Sequence, residues 1–130
     1  MFIQGMETLH LRMKEHSANG QKVAEHLSKH PMVERVAYPG ISSDLPKERA
    51  DKYLSNGCGG LLGFEIKGGH EAGKKFINSL EMLYHVANIG DSRSLAIHPC
   101  IEDTILERYI SIDRKEEKTV QVAIITMVVV

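Results

Sequence analysis

The sequence predicts an α+β fold: a small, mainly antiparallel sheet with helices packed on one face. Three observations predict it. Helical and β patterns follow one another in the order α-β-α-β-α-β-β and end in an apolar tail. The strand-like runs are short and are bounded by glycine and proline turn signals. The 130 residues are 42% hydrophobic and 25% charged, which suits one domain with a modest core and argues against disorder.

The first predicted helix covers residues 6–29. Met6, Leu9, Met13, Gly20, Ala24 and Leu27 recur near helical spacing and form one stripe. Gly20 weakens the middle of that helix by about 1 kcal/mol relative to alanine, so tertiary packing must hold it. Pro31 stops it. Residues 33–38 read as a short strand, and Pro39-Gly40 as a turn. Ser43 or Asp44 is placed to cap a second helix over 46–54, with Pro46 near its first position. Residues 56–60, Asn-Gly-Cys-Gly-Gly, form a flexible break.

Residues 61–67 read as a strand with Leu62, Phe64 and Ile66 on one face. Gly68-Gly69 turns the chain into a helix over 71–80, with Ala72, Phe76 and Leu80 on one side. Residues 82–87 and 94–97 read as short strands around a polar loop. Residues 101–110 read as a helix and 113–118 as a solvated charge run. The stretch 120–130 has strong β-propensity and no charge.

Composition excludes several classes of function. A net charge of −1, from 16 basic and 17 acidic residues, provides no field to draw the chain to nucleic acid or to an anionic membrane. Three Phe, four Tyr and no Trp are too few for a base-stacking platform. The apolar tail is shorter than the about 20 residues a membrane-spanning helix needs. The N-terminal residues lack a basic n-region and an apolar h-region, so no signal peptide is expected. Cys58 and Cys100 stand far apart and fit a reducing, cytoplasmic setting better than a disulfide scaffold.

Four local patterns invite chemistry. Gly68-Gly69-His70-Glu71-Ala72-Gly73-Lys74-Lys75 matches the spacing of a phosphate-binding loop, but Lys75 stands where Ser or Thr would hold Mg²⁺. The plain reading is a turn followed by a helix with exposed lysines. His26 and His30 share a helical face, yet no third metal ligand is evident. His98-Pro99-Cys100 offers a thiol and an imidazole without an orienting partner, and Cys58 among its glycines reads as an incidental thiol. Residues 88–94 set Asn88, Gly90, Asp91, Ser92, Arg93 and Ser94 on a loop between two apolar strands. A rigid sheet displaying polar groups on a loop is a common form of ligand site. No metal site is expected.

Several separated motifs, in one order, resemble a known family. Gln4 to Met13, then His16, Asn19 and Lys22 to Leu27, is similar to the helix that opens the C-terminal region of the trans-sulfuration enzymes. These are the pyridoxal-phosphate (PLP) enzymes of Cys/Met metabolism. Val33-Glu34-Arg35-Val36-Ala37-Tyr38-Pro39-Gly40 resembles their V-x-x-V-x-Y-P-G strand and turn. Phe64, Ile66 to Gly69 and Glu71 to Gly73 continue in register. His85 to Asp91, then Ser94-Leu95 and Ile97-His98-Pro99, resembles the O-acetylhomoserine sulfhydrylase branch in particular. Cystathionine γ-synthase and γ-lyase are relatives on the same scaffold.

The resemblance implies the C-terminal domain of a PLP-dependent transferase of the aspartate aminotransferase-like fold type I, over residues 1–99. It implies homocysteine formation from O-acetylhomoserine and sulfide, a small-molecule substrate, and homotetramers in the intact family. PLP acts there as an electron sink after Schiff-base formation with a lysine. Asn88 and Ser94 fall where the family's substrate-facing loop lies and are the expected substrate-binding residues. No catalytic or cofactor-binding residue is expected in this chain.

Departures from the pattern qualify that picture. The family's Ser-x-Thr-Lys motif, which carries the Schiff-base lysine, does not occur. PLP is therefore not expected to bind this chain alone, and the chain alone is expected to be inactive. After Pro99 the family continues Ala-Ser-x-Thr-His and later carries a substrate-carboxylate arginine in an I-R-L-S-V-G-I-E strand. Here Cys100-Ile101-Glu102-Asp103 follows instead, so residues 100–130 read as a divergent tail, from a shifted reading frame or, as the alternative, a true extension of the fold. Such a tail is expected to leave an exposed strand edge, an aggregation hazard. A stand-alone interaction or small-ligand module reusing this domain is the reading from another class.

Overall fold

A computed structural model describes residues 2–41, 47–86, 88–98 and 119–126; for 47–48 and 119–126 the backbone alone is described. The elements run α1 (Phe2–Glu7), α2 (Leu9–Ser28), β1 (Val33–Ala37), α3 (Lys47–Tyr53), β2 (Leu62–Lys67), α4 (Gly69–Asn78), β3 (Tyr84–His85), β4 (Leu95–Ile97) and β5 (Thr119–Thr126). The five strands form one sheet in the order β1-β2-β5-β4-β3. β1 with β2, β2 with β5, and β5 with β4 pair antiparallel, while β3 and β4 run parallel. This is the expected α+β, mainly antiparallel architecture.

The core forms where alternation in β2 meets the periodicity of two helices. Leu62, Phe64 and Ile66 are all buried, as their shared face requires. Ala24 of α2 and Ile77 of α4 join them in one cluster with Tyr38 and Ala96, so both helices cover the same face of the sheet. Phe76 meets Phe64 edge to face, with ring centroids 5.6 Å apart. Burying a phenyl ring stabilises by about 1.5–3 kcal/mol, and an edge-to-face partner adds roughly 0.5–1.5 kcal/mol. On the other face of β2, Glu65 accepts a hydrogen bond from Arg35 of β1 at 3.3 Å.

Three expectations need correction. The helix over 6–29 is two helices, broken at Thr8. Arg12 accounts for how the junction is held: its side chain donates to Thr8 Oγ1 and to the Gly5 carbonyl. The apolar stripe of that helix is buried only in its second half. Gly20 and Ala24 are buried with His16, whereas Met6, Leu9 and Met13 are exposed. The tail does not leave an open strand edge. β5 lies at the centre of the sheet, with Val122 opposite Phe64 and Ile124 opposite Leu62, and the edges are β1 and β3.

The second half of α4 carries the buried Ile77, and Ala72, Phe76 and Leu80 pack partly buried around the core as expected. The helix begins two residues early because Gly69, at φ 65°, and Gly68, at φ 100°, adopt the left-handed conformations that glycine permits. The cap expected at Ser43 or Asp44, the helix over 101–110 and the charge run at 113–118 lie outside the described residues.

Candidate functional site

Among the described residues, the loop between β3 and β4 is the most organised polar site. Its two flanking strands are held together by parallel pairing and by Tyr84 N–H, which donates to the Ser94 carbonyl at 3.0 Å. Gly90 turns the loop with φ 85°. Asn88 Oδ1 accepts from the Ile89 N–H at 2.9 Å, and Asn88 Nδ2 donates to Asp91 Oδ2 at 3.3 Å.

Asp91 is the hub. It accepts from the Arg93 backbone N–H at 2.9 Å and from both sides of the guanidinium, Nε and one terminal nitrogen, each at 3.1 Å. A bidentate pair of this kind fixes geometry as well as charge. Hydrogen bonds from Arg93, with a smaller one from Asn88, hold the Asp91 carboxyl well below the usual carboxylate range. The Arg93 guanidinium stacks over the Tyr84 ring, 4.6 Å from its centroid. Arg12 reaches the loop from α2 and donates to the Gly90 carbonyl at 3.4 Å.

Asn88 is exposed and Ser94 is buried, with 4% of its surface accessible. The two residues therefore share a loop but not a common surface: Asn88 can meet a ligand, while Ser94 sits at the base. Sequence reasoning missed the Asp91–Arg93 pair and the brace from Arg12. The i, i+2 spacing of opposite charges was a visible signal for the first. Nothing local pointed to the second, because the partners are 78 positions apart.

The Gly-Lys pattern folds into the first turns of α4, so no loop is left to wrap phosphates. Lys74 and Lys75 instead line an open cleft of about 430 Å³ with Glu71, Asn78 and Ser79. The His26 and His30 rings stand 6.4 Å apart, and His30 Nδ1 accepts from the Met32 N–H. No group of three or more His, Cys, Asp or Glu able to hold a metal occurs among the described residues. His98 is fully buried and meets His70 edge to face at 5.1 Å; Pro99 and Cys100 lie outside the described residues. Cys58 lines a second cleft, about 440 Å³, with His10, Lys14 and Ser17 of α2. No described helix is long and apolar enough to cross a membrane.

Comparison with known proteins gives a consistent outcome. A sequence model of the Cys/Met metabolism PLP-dependent enzymes matches residues 1–129. The O-acetyl-L-homoserine sulfhydrylase of Leptospira meyeri is 57% identical over 98 residues, which is 75% of this chain and 22% of that protein. The L-methionine gamma-lyase of Treponema denticola is 47% identical over 96 residues, 74% of this chain and 24% of that protein. A crystal structure described as an O-acetylhomoserine (thiol)-lyase of Campylobacter jejuni, carrying N'-pyridoxyl-lysine-5'-monophosphate, superposes with a TM-score of 0.75. It is 33% identical and covers 95% of this chain and 26% of its own. The chain thus spans about a quarter of the length of the relatives it matches. With the family model matching residues 1–129, the chain belongs to the Cys/Met-metabolism family of PLP-dependent enzymes.

Proposed function

We propose that this chain serves an O-acetylhomoserine sulfhydrylase, which makes homocysteine from O-acetylhomoserine and sulfide. Its contribution is one wall of the substrate pocket. The exposed Asn88 amide faces the amino-acid end of the substrate, and the buried Ser94 supports the loop from beneath. The observation that carries this reading is the 57% identity to a sulfhydrylase over residues that include the 88–94 loop.

The cofactor's chemistry, stabilising a carbanion next to nitrogen, belongs to PLP. The described residues do not fit that group by themselves. A Schiff-base lysine works from a desolvated pocket, and every lysine whose side chain is described is exposed. Lys67 Nζ already donates to the Pro31 carbonyl at 2.8 Å. Lys74 and Lys75 share their cleft with the Glu71 carboxylate, which opposes a phosphate. The chain alone is accordingly inactive in this reading.

A second reading, methionine γ-lyase, is favoured by the relatives of that name at 40–47% identity. One experiment separates the two. Residues 2–98 of this chain replace the matching segment of the Leptospira meyeri enzyme, and the chimera is assayed on both substrates. Homocysteine formation as the main activity supports the sulfhydrylase reading. Methionine cleavage as the main activity overturns it. For the isolated chain, a visible absorption band on adding PLP, with homocysteine production, would show that the site is complete after all.

We also propose that the chain leaves the family pattern after Pro99 through a change of reading frame. Alignments to three curated relatives cover 95 to 99 residues of this chain, which supports it, whereas the family model runs on to residue 129, which favours a true extension of the fold. Sequencing the source DNA decides the matter. A second frame that restores the arginine strand supports the proposal, and its absence overturns it.

A further inference from the structure

Arg12 links three segments, α1, the start of α2 and the 88–94 loop. It is partly buried on α2, one turn after the Thr8 junction. Its Nε donates to Thr8 Oγ1 at 3.3 Å, one terminal nitrogen to the Gly5 carbonyl at 3.0 Å, and the other to the Gly90 carbonyl at 3.4 Å. Gly5 belongs to α1 and Gly90 to the loop, so one guanidinium holds both against α2. Only a planar fork of donors can serve three acceptors in these directions; a lysine presents one nitrogen.

The loop behaves as a unit in its other bonds. Asn88, Asp91 and Arg93 bond to one another, and Arg93 rests on Tyr84 of the adjoining strand. These contacts give the loop its shape but do not set its place relative to the helices. The Gly90 carbonyl sits in a turn at φ 85°, where a side chain would be strained, and Arg12 bonds that carbonyl.

We propose that Arg12 is a positioning residue: it sets where Asn88 stands relative to α1 and α2, and through Asn88 it governs substrate binding without touching substrate. This role rests on the reading of the 88–94 loop as substrate-facing. Backbone ¹⁵N relaxation on the full 130-residue chain tests the positioning itself. Thr8→Ala removes an acceptor at the helix junction and leaves the Ile89, Gly90 and Asp91 amides rigid. Arg12→Lys and Arg12→Ala lower their order parameters from about 0.85 toward 0.6, while the amides of α4 hold. Should Arg12→Ala fail to fold, Arg12→Lys decides.

In the chimeric enzyme, Arg12→Lys raises KM for O-acetylhomoserine about three- to tenfold, with kcat within about twofold. An unchanged loop in the Arg12 variant, or equal loosening in Thr8→Ala, overturns the positioning. A loosened loop with unchanged KM overturns the link to substrate. An inactive parent chimera counts against the proposed function alone, since the relaxation experiment still decides the positioning.

Discussion

The Tyr38 hydroxyl donates to the Gly59 carbonyl at 2.8 Å and shares a longer bond, 3.3 Å, with the Ser17 carbonyl. That one group ties the end of β1 to the glycine segment and to α2. Tyr38 is almost wholly buried, and burial, with Cys58 nearby, pushes its pKa up to about 12. The phenol is therefore a neutral donor throughout the physiological range. Tyr38→Phe keeps the packing and removes the donor, leaving the Gly59 carbonyl without it. The expected cost is about 1–2 kcal/mol in urea unfolding; a midpoint equal to the parent's would show that the bond contributes nothing.

Gly20→Ala sets two effects of opposite sign against each other. Helix propensity favours alanine by about 1 kcal/mol. An added Cβ would lie 2.8 Å from the Gly59 carbonyl oxygen and 3.2 Å from the Tyr38 hydroxyl. The nearer atom is backbone and cannot swing away as a side-chain tip can. Overpacking of this kind costs about 1–3 kcal/mol, so a net loss of stability is expected. A raised melting temperature for Gly20→Ala would refute the close approach of α2 to residues 59–60.

Deleting residues 119–130 removes β5 from the middle of the sheet. β2 and β4 each lose a full set of backbone partners, and the β1–β2 and β4–β3 pairs are no longer joined. Buried strand edges without partners are costly, and exposed ones template aggregation. The truncated chain is expected to lose cooperative unfolding and to form soluble aggregates in size-exclusion chromatography. A monomer with the parent's melting transition would contradict the strand order.

Acid should destabilise the fold from near neutrality. His98 and His16 both have pKa values lowered from 6.5, each chiefly by burial, with His70 adding to the effect at His98 and Arg12 at His16. A lowered imidazole pKa means that the unfolded chain takes up the proton first. Their stabilising contribution is therefore complete above pH 6.5 and is lost progressively as pH falls toward the lower folded values. Asp91 does not share this window, because its carboxyl protonates only well below 3.8. Melting temperature followed from pH 8 to pH 5, as a laboratory range, should fall, and His98→Gln should flatten the fall; a flat profile for the parent chain would refute the assignment.

Much of the architecture was legible in the sequence because it is local. Alternation of Leu62, Phe64 and Ile66 placed β2, and turn residues bracketed β1, α3 and α4 within a few positions. The break at Thr8 was not legible, since Met6 and Leu9 keep helical spacing across it and the bonds that hold the junction come from Arg12. The exposed first half of the α2 stripe was equally hidden, because periodicity marks an apolar face without saying where the sheet beneath it ends. At the candidate site, the sequence showed Asn88 and Ser94 on one loop, but their opposite exposure depends on how that loop meets β4.

The sequence by itself determined the fold class, the element types and the family, because these depend on residue periodicity, turn chemistry and ordered motifs within short windows. Only the tertiary structure decided that the apolar tail is the central strand, that Arg12 braces Gly90 and that Tyr38 bonds Gly59. Each of those joins groups 21 or more positions apart. Such contacts form when the chain closes on itself, and no local pattern encodes which of many possible partners the closure selects.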